Sequence, residues 1–432
     1  MEIQNRLVSA GTLGTEFHVI ASDDQQLEIA VFEGQVELRT SKGQITVASG
    51  QCGTARPGIL PTATALIEAV NVIQWCLYYP SVLDVDELPL NNAEKDLLNA
   101  SLLAFRSGQV KQALALYPAE RAPGSEAERV YRAALLLSVG AVDQAQTLLD
   151  GAAGRSPLGA SLLQLIAAVK GQPWTRAAEP QLASEWLAES YYRQSQANTQ
   201  SDALDQARKA AAAAVAQAPQ SGPAWARLAE LEFSFGRTDA AHRALDQALR
   251  LAPEHAQAVA LRGFVLSAEN RIAAALTEFD RAISLDSALG NAWLGRGLCR
   301  IRRGHTHEGR DDLLVAAALE PRRAVLRSYL GKAYSETRDS ARAAKELRLA
   351  TQLDPRDPTG WLYSALAKHQ ENRVNEAIRD LERSKAENDN RSLYRSRLLL
   401  DQDRAVRSAN LARIYDEAGM TEVAYREAVR AV

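Results

Sequence analysis

The stretch "WLGRGLCRIRRGHTHEGRDDLLVAAALEP", residues 293–321, decides how this chain is read. Taken alone, Cys299, His305, His307, Asp311 and Asp312 crowd together like metal ligands. Placed beside its neighbours, the same stretch is one unit of an array. The segments beginning at Pro223, Gln257, Asn291, Val325 and Thr359 align without insertion at a constant step of 34 residues. Trp225, Val259, Trp293, Arg327 and Trp361 share one register, and Pro253, Ser287, Pro321, Pro355 and Asp389 share another. A fixed period over five units fixes the architecture before any single residue is interpreted.

Small residues explain how each unit packs. Ala229, Gly263, Gly297, Gly331 and Ala365 fall midway along a first helix, and Ala241, Ala275, Gly309, Ala343 and Ala377 fall early in a second. Leu245, Phe279, Leu313, Leu347 and Leu381 supply the bulk beside them at helical spacing, so large side chains oppose small ones and the two helices approach closely. Gly236, Asn270, Gly304, Asp339 and Asn372 mark the turn between the helices, as residues that tolerate left-handed or capping conformations. Proline after the second helix ends the unit.

These residues resemble the tetratricopeptide repeat family over positions 222 to 389. The resemblance implies a mainly α fold, a right-handed α–α superhelix. Degenerate units precede the five regular repeats of residues 221–390: "DALDQARKAAAAAVAQAP" (202–219), "VYRAALLLSVGAVDQAQTLLDGA" (130–152) and "ASLLAFRSGQVKQALALYP" (100–118) place irregular helical hairpins over 93–220. After residue 390 an arginine-rich insert, "RSLYRSRLLLDQD", precedes a last repeat in "ANLARIYDEAGMTEVAYREAVRAV". An array that stops on an uncapped helix exposes apolar surface, so further protein is expected after Val432.

Residues 14 to 55 follow a period of two instead: Phe17 and Val19, then Leu27, Ile29 and Val31, then Val36 and Leu38, then Ile45 and Val47. This predicts short antiparallel strands, with turns at Glu33–Gly34 and at Ser41 to Gly43. The small N-terminal β module spans 1–58, followed by a junction over 59–92. "GTEFHV", "VFEGQVEL" and "VASGQ" resemble the FecR domain, which implies a periplasmic setting; proteins that join such a domain to tetratricopeptide repeats belong to Gram-negative bacteria and in some cases continue into an outer-membrane β-barrel.

The balance of 46% hydrophobic and 24% charged residues is that of a folded protein. A net charge of -3 without a basic block argues against nucleic acid. No apolar run spans a membrane, and three cysteines, Cys52, Cys76 and Cys299, form no framework. No GxSxG, GxxxxGK[ST], HExxH or GxGxxG occurs, and in the repeat frame the residues of 299–312 all have structural roles, so neither an enzyme nor a metal or other cofactor is expected. Recognition by surface remains. The first helices line the concave side, where Phe264, Leu298, Ile301, Tyr329, Lys332, Tyr363 and Leu366 form an expected partner-binding groove. The rows Ala226, Ala260, Leu294, Ser328, Leu362 and Glu230, Phe264, Leu298, Lys332, Leu366 lack the lysines and asparagines with which some members of the repeat family clamp a C-terminal carboxylate. The reading is a non-enzymatic periplasmic scaffold for a protein or peptide partner at the outer membrane, with a FecR-like sensor or regulator as the alternative and a metal-dependent enzyme as a remote one.

Overall fold

The computed structural model describes residues 2–430 except 6–7, 13–15, 23–25, 34, 49–50, 57, 59, 66–81, 119–120, 140, 171, 176–177, 197–201, 322, 388–410 and 418. It divides into two units, Met1–Glu68 and Ala69–Val432.

Among the described residues the first unit has eight strands: β1 Glu2–Asn5, β2 Val8–Thr12, β3 Glu16–Ser22, β4 Gln26–Glu33, β5 Gln35–Thr40, β6 Gly43–Ala48, β7 Gln51–Ala55 and β8 Thr62–Ala65. They form two antiparallel four-stranded sheets, ordered β1-β2-β5-β6 and β3-β4-β7-β8. The alternating residues Leu27, Ile29, Val31, Val36, Leu38 and Val47 are buried together, with Ala55, because period-two patterning sends one face of each strand inward. The sheets approach closely at Gly53, where a Cβ would lie 2.4 Å from both Leu38 and Val47 side chains. The turn at Ser41–Lys42 closes β5 onto β6 with Thr40 opposite Gly43, whereas Gly34 and the side chains of Phe17 and Val19 lie outside the described residues. Strands β1, β2 and β8 were not expected: "EIQN", "VSAGT" and "TATA" carry almost no large apolar side chain, so their sequences give no alternation to read.

The second unit is helical. Short or irregular helices come first: α1 Asn92–Ser107, α2 Val110–Leu116, α3 Glu126–Ser138, α4 Val142–Leu149, α5 Ala152–Arg155, α6 Pro157–Val169, α7 Ala183–Ser195 and α8 Ala203–Gln217. Five regular pairs follow: α9 Gly222–Ser234 with α10 Thr238–Leu251, α11 Ala256–Ala268 with α12 Ile272–Leu285, α13 Gly290–Arg302 with α14 Thr306–Leu319, α15 Ala324–Glu336 with α16 Ser340–Leu353, and α17 Pro358–Gln370 with α18 Val374–Ala386. First helices begin every 34 residues, and so do second helices. A last pair, α19 (411–417) and α20 Thr421–Arg430, packs Leu411, Ile414 and Tyr415 against α17 and α18.

The turns repeat to the residue. Gly236, Asn270, Gly304, Arg338 and Asn372 all have positive φ, and the amide after each closes back five residues, as in Arg237 N to Glu232 O and Arg373 N to Lys368 O, both 2.9 Å. This is the left-handed helix-ending motif. One expectation is corrected: in the fourth repeat the left-handed residue is Arg338 (φ 61°), not Asp339. Asp339 instead caps α16, its carboxylate accepting from Arg342 N at 3.1 Å.

The Trp register also has a physical cause. The indole N–H of Trp225, Trp293 and Trp361 donates to the carbonyl six residues earlier, in Pro219, Ser287 and Pro355, at 2.8–2.9 Å. Arg327 does the same to Pro321 with its guanidinium. Val259 has no donor, and the orphaned carbonyl of Pro253 is taken by Arg281 at 2.7 Å. Each inter-repeat turn thus keeps its carbonyl satisfied by whatever donor its sequence offers.

The segment before α1 folds onto the helices. Val82, Leu83, Val85, Leu88 and Leu90 are buried, and the Glu87 carboxylate accepts from the amides of Ala183 (2.6 Å) and Ser184 (3.1 Å) at the start of α7. The N-cap position of α7 is Leu182, which has no side-chain acceptor, so the cap comes from a residue 96 positions upstream.

Candidate functional site

First helices of neighbouring repeats pack against one another, α15 on α17 and α11 on α13, more closely than second helices do. They therefore occupy the inner radius of the superhelix. The rows expected there come together: Phe264, Leu298, Ile301 and Tyr363 pack as half-buried side chains on a cluster containing Leu294, Tyr329 and Tyr334, and Leu366 joins the adjoining cluster that Tyr363 also touches. Tyr363 meets Tyr329 with ring centroids 5.7 Å apart, and the Lys332 ammonium sits 5.2 Å from the Tyr363 centroid. Tyr329 departs from its expected role. It is only 6% exposed, a floor beneath Tyr363.

Phe264 continues this band toward the second repeat, edge-on to Phe279 at 5.0 Å. Phe279 is wholly buried in a slot left by two glycines: a Cβ on Gly263 would come within 2.7 Å of the ring and one on Gly295 within 2.2 Å. In the third repeat Gly297 and Gly309 make the same accommodation backbone to backbone, a Cβ on Gly297 lying 2.8 Å from the Gly309 carbonyl oxygen.

Beside Phe264 lies a small pocket, about 60 Å³, walled by Ala226, Ala260, Leu261 and Phe264, with Glu230 and His255 at its polar edge. Arg227, 2% exposed, lies under it. Its guanidinium stacks on Tyr191 at 3.9 Å and donates to Ser190 Oγ (3.0 Å), Gln194 Oε1 (2.6 Å) and Glu230 Oε1 (2.8 Å). Burial pushes the Glu230 carboxyl above its usual range, against the pull of Arg227. His255 caps α11, its Nδ1 accepting from Ala258 N at 3.1 Å, and burial lowers its pKa to about 4, so the ring is neutral with Nε2 protonated. Sequence reasoning placed Glu230 in the inner row but missed the pocket. The signal was the neighbouring Arg227, in the register that elsewhere holds Leu261, Gly295, Tyr329 and Tyr363.

The 299–312 cluster is dispersed. Asp312 accepts from Arg296 (2.7 and 3.0 Å) and from Arg300 (2.8 Å); Cys299 is buried near Ser267, while His305, His307 and Asp311 are exposed on the turn and on the start of α14. Among the described residues no group of three such side chains is placed to hold a metal ion, and no helix is long and apolar enough to cross a membrane.

Residues 199–263, covering α8, α9, α10 and the first part of α11, match the tetratricopeptide repeat family. The match places tetratricopeptide repeat sequence at residues 199–263. The chain is 28% identical over 137 residues to anaphase-promoting complex subunit 3 of Schizosaccharomyces pombe, a match covering 32% of this chain and about a fifth of the relative. Among solved structures it is similar to the anaphase-promoting complex heterotetramer Cut9-Hcn1 (15% identity, 78% of this chain and 75% of that one, TM-score 0.48) and to Pseudomonas aeruginosa pilF (19% identity, 48% and 88%, TM-score 0.38).

Proposed function

We propose that the protein is a non-enzymatic scaffold that holds a protein or peptide partner along the inner face of its repeats, in the periplasm and at the outer membrane. The observation that carries the reading is the half-buried apolar band running from Phe264 through Leu298, Ile301 and Tyr363 to Leu366, edged by Lys332. Aromatic and aliphatic anchors on a rigid, preformed surface give most of the energy of such contacts, with rim charges adding selectivity. The location rests on the resemblance of residues 8–56 to the FecR domain.

Partner recovery from an envelope fraction tests this. Leu298→Ala and Tyr363→Ala, made singly and checked by thermal melting, should lower recovery of a partner bound by the parent protein. Unchanged recovery with folded variants removes the groove from the account. Recovery of the native protein in the cytosolic fraction alone overturns the location.

A further inference from the structure

We infer that the Glu230 pocket is a subsite for a cationic group on an apolar stem, an alkylammonium or alkylguanidinium. The inference rests on the groove reading only in that the pocket adjoins Phe264.

Among the described residues the Glu230 carboxylate has a single charged donor, Arg227. Glu230 has a side chain 13% exposed and accepts from Arg227 at Oε1; the residue lines the pocket. Four other carboxylates of the solenoid with comparable or deeper burial receive donors on several sides. Asp312 lies between Arg296 and Arg300, Glu232 between Arg208 and Arg237, and Asp380 accepts from Lys368 and Ser364. Glu128 takes Arg121, Tyr117 and the Gly124 amide. A buried carboxylate with one donor carries an uncompensated desolvation cost, which a second charge-assisted donor offsets. In the other cases the chain supplies that donor. At Glu230 the corresponding space is open.

The rest of the pocket selects the kind of donor. Ala226, Ala260, Leu261 and Phe264 offer apolar contact to a methylene stem, and the Phe264 ring offers a face to a cation. Arg227 is the one other charged group at the pocket, and its charge is already shared among Glu230, Ser190, Gln194 and the Tyr191 ring. The Asp312 site shows that one carboxylate in this protein accommodates two guanidinium groups at 2.7–3.0 Å. His255 stays neutral and adds no repulsion.

The source of the cation is either a Lys or Arg side chain of a partner or a small free amine, and the two are separated by the choice of probe. The folded 432-residue chain, isotope-labelled, is titrated with agmatine and with alanine-based hexapeptides carrying one central Lys, Arg or norleucine, followed by amide shifts around Ala226, Glu230 and Phe264. The expected result is binding of the Lys and Arg peptides at least tenfold tighter than the norleucine peptide, and loss of that preference in Glu230→Gln, whose amide oxygen still accepts from Arg227 and preserves the fold. Equal affinity for lysine and norleucine peptides, or a preference unchanged in Glu230→Gln, overturns the inference and leaves the groove reading standing. Glu230-dependent binding of agmatine with no binding of any peptide upholds the cation subsite and counts against the groove. No binding of either agmatine or the cationic peptides overturns the subsite outright.

Discussion

Replacing Gly295 by alanine sets two rules against each other. Gly295 is in the interior of α13, where alanine is favoured over glycine by about 1 kcal/mol on helix propensity alone. The structure predicts the opposite sign. The added methyl would lie 2.2 Å from Cε1 and Cζ of Phe279, far inside ordinary carbon contact of about 3.5–4 Å. The ring cannot retreat, because Gly263 closes on its other side and Phe264 meets it edge-on at 5.0 Å. The neighbours must then move by more than an ångström, and overpacking of that kind sits at the upper end of its usual cost, about 3 kcal/mol. The net loss is about 2 kcal/mol. Phe279→Leu, which removes the obstruction, should cost about 1 kcal/mol alone and absorb most of the Gly295→Ala penalty in the double variant, a coupling of about 2 kcal/mol. Because repeat arrays unfold in parts, amide exchange across α11 to α13 is the measurement to set beside urea denaturation. A neutral or stabilising Gly295→Ala, or single costs that add within about 0.5 kcal/mol, would refute the claim that the array is held together by glycine slots around bulky rings.

Three further outcomes follow from the turns and caps. Arg338→Gly should raise stability by about 0.5–1 kcal/mol, since only glycine adopts φ 61° without a Cβ penalty, while Asn270→Gly should gain less because asparagine tolerates that region; equal gains in chemical denaturation would contradict this. Glu87→Ala should lower exchange protection of the first turn of α7 and cost about 1–2 kcal/mol by removing the carboxylate that accepts from its first two amides, and unaltered protection at Ala183 and Ser184 would dispose of the idea. The folded pKa of His255, about 4, lies below its unfolded value of about 6.5; between these the unfolded chain holds the extra proton, so stability should fall as pH drops through that window. His255→Asn keeps a capping acceptor and should flatten the decline, and an identical pH profile for the variant would show that other groups cause it.

Much of the helical unit was legible because its physics is periodic. A 34-residue step, small residues facing Phe279, Leu313 and Leu347, and left-handed turn residues each recur often enough to be read without coordinates. The fourth turn was misplaced by one residue because Arg338 is a poor left-handed residue while Asp339 looks like a good one; the aspartate was serving the next helix. Tyr329 was read as an exposed anchor since period alone gives the direction of a side chain and not the depth to which its neighbours close over it. Glu87 capping α7 across 96 residues and Arg227 reaching Ser190 and Gln194 of α7 are long-range contacts, which no local pattern encodes. Strands β1, β2 and β8 lacked the apolar alternation that made β4, β5 and β6 readable.

Photo-crosslinking inside cells tests the scaffold reading most directly. Benzoylphenylalanine at position 363, on the inner band, is compared with the same group at position 314, where Leu314 is exposed on the second helix of its repeat. The account predicts a discrete crosslinked partner from position 363 and none from 314, abolished by Leu298→Ala in the folded protein. The same product from both positions, or from neither, would contradict an inner-face binding site.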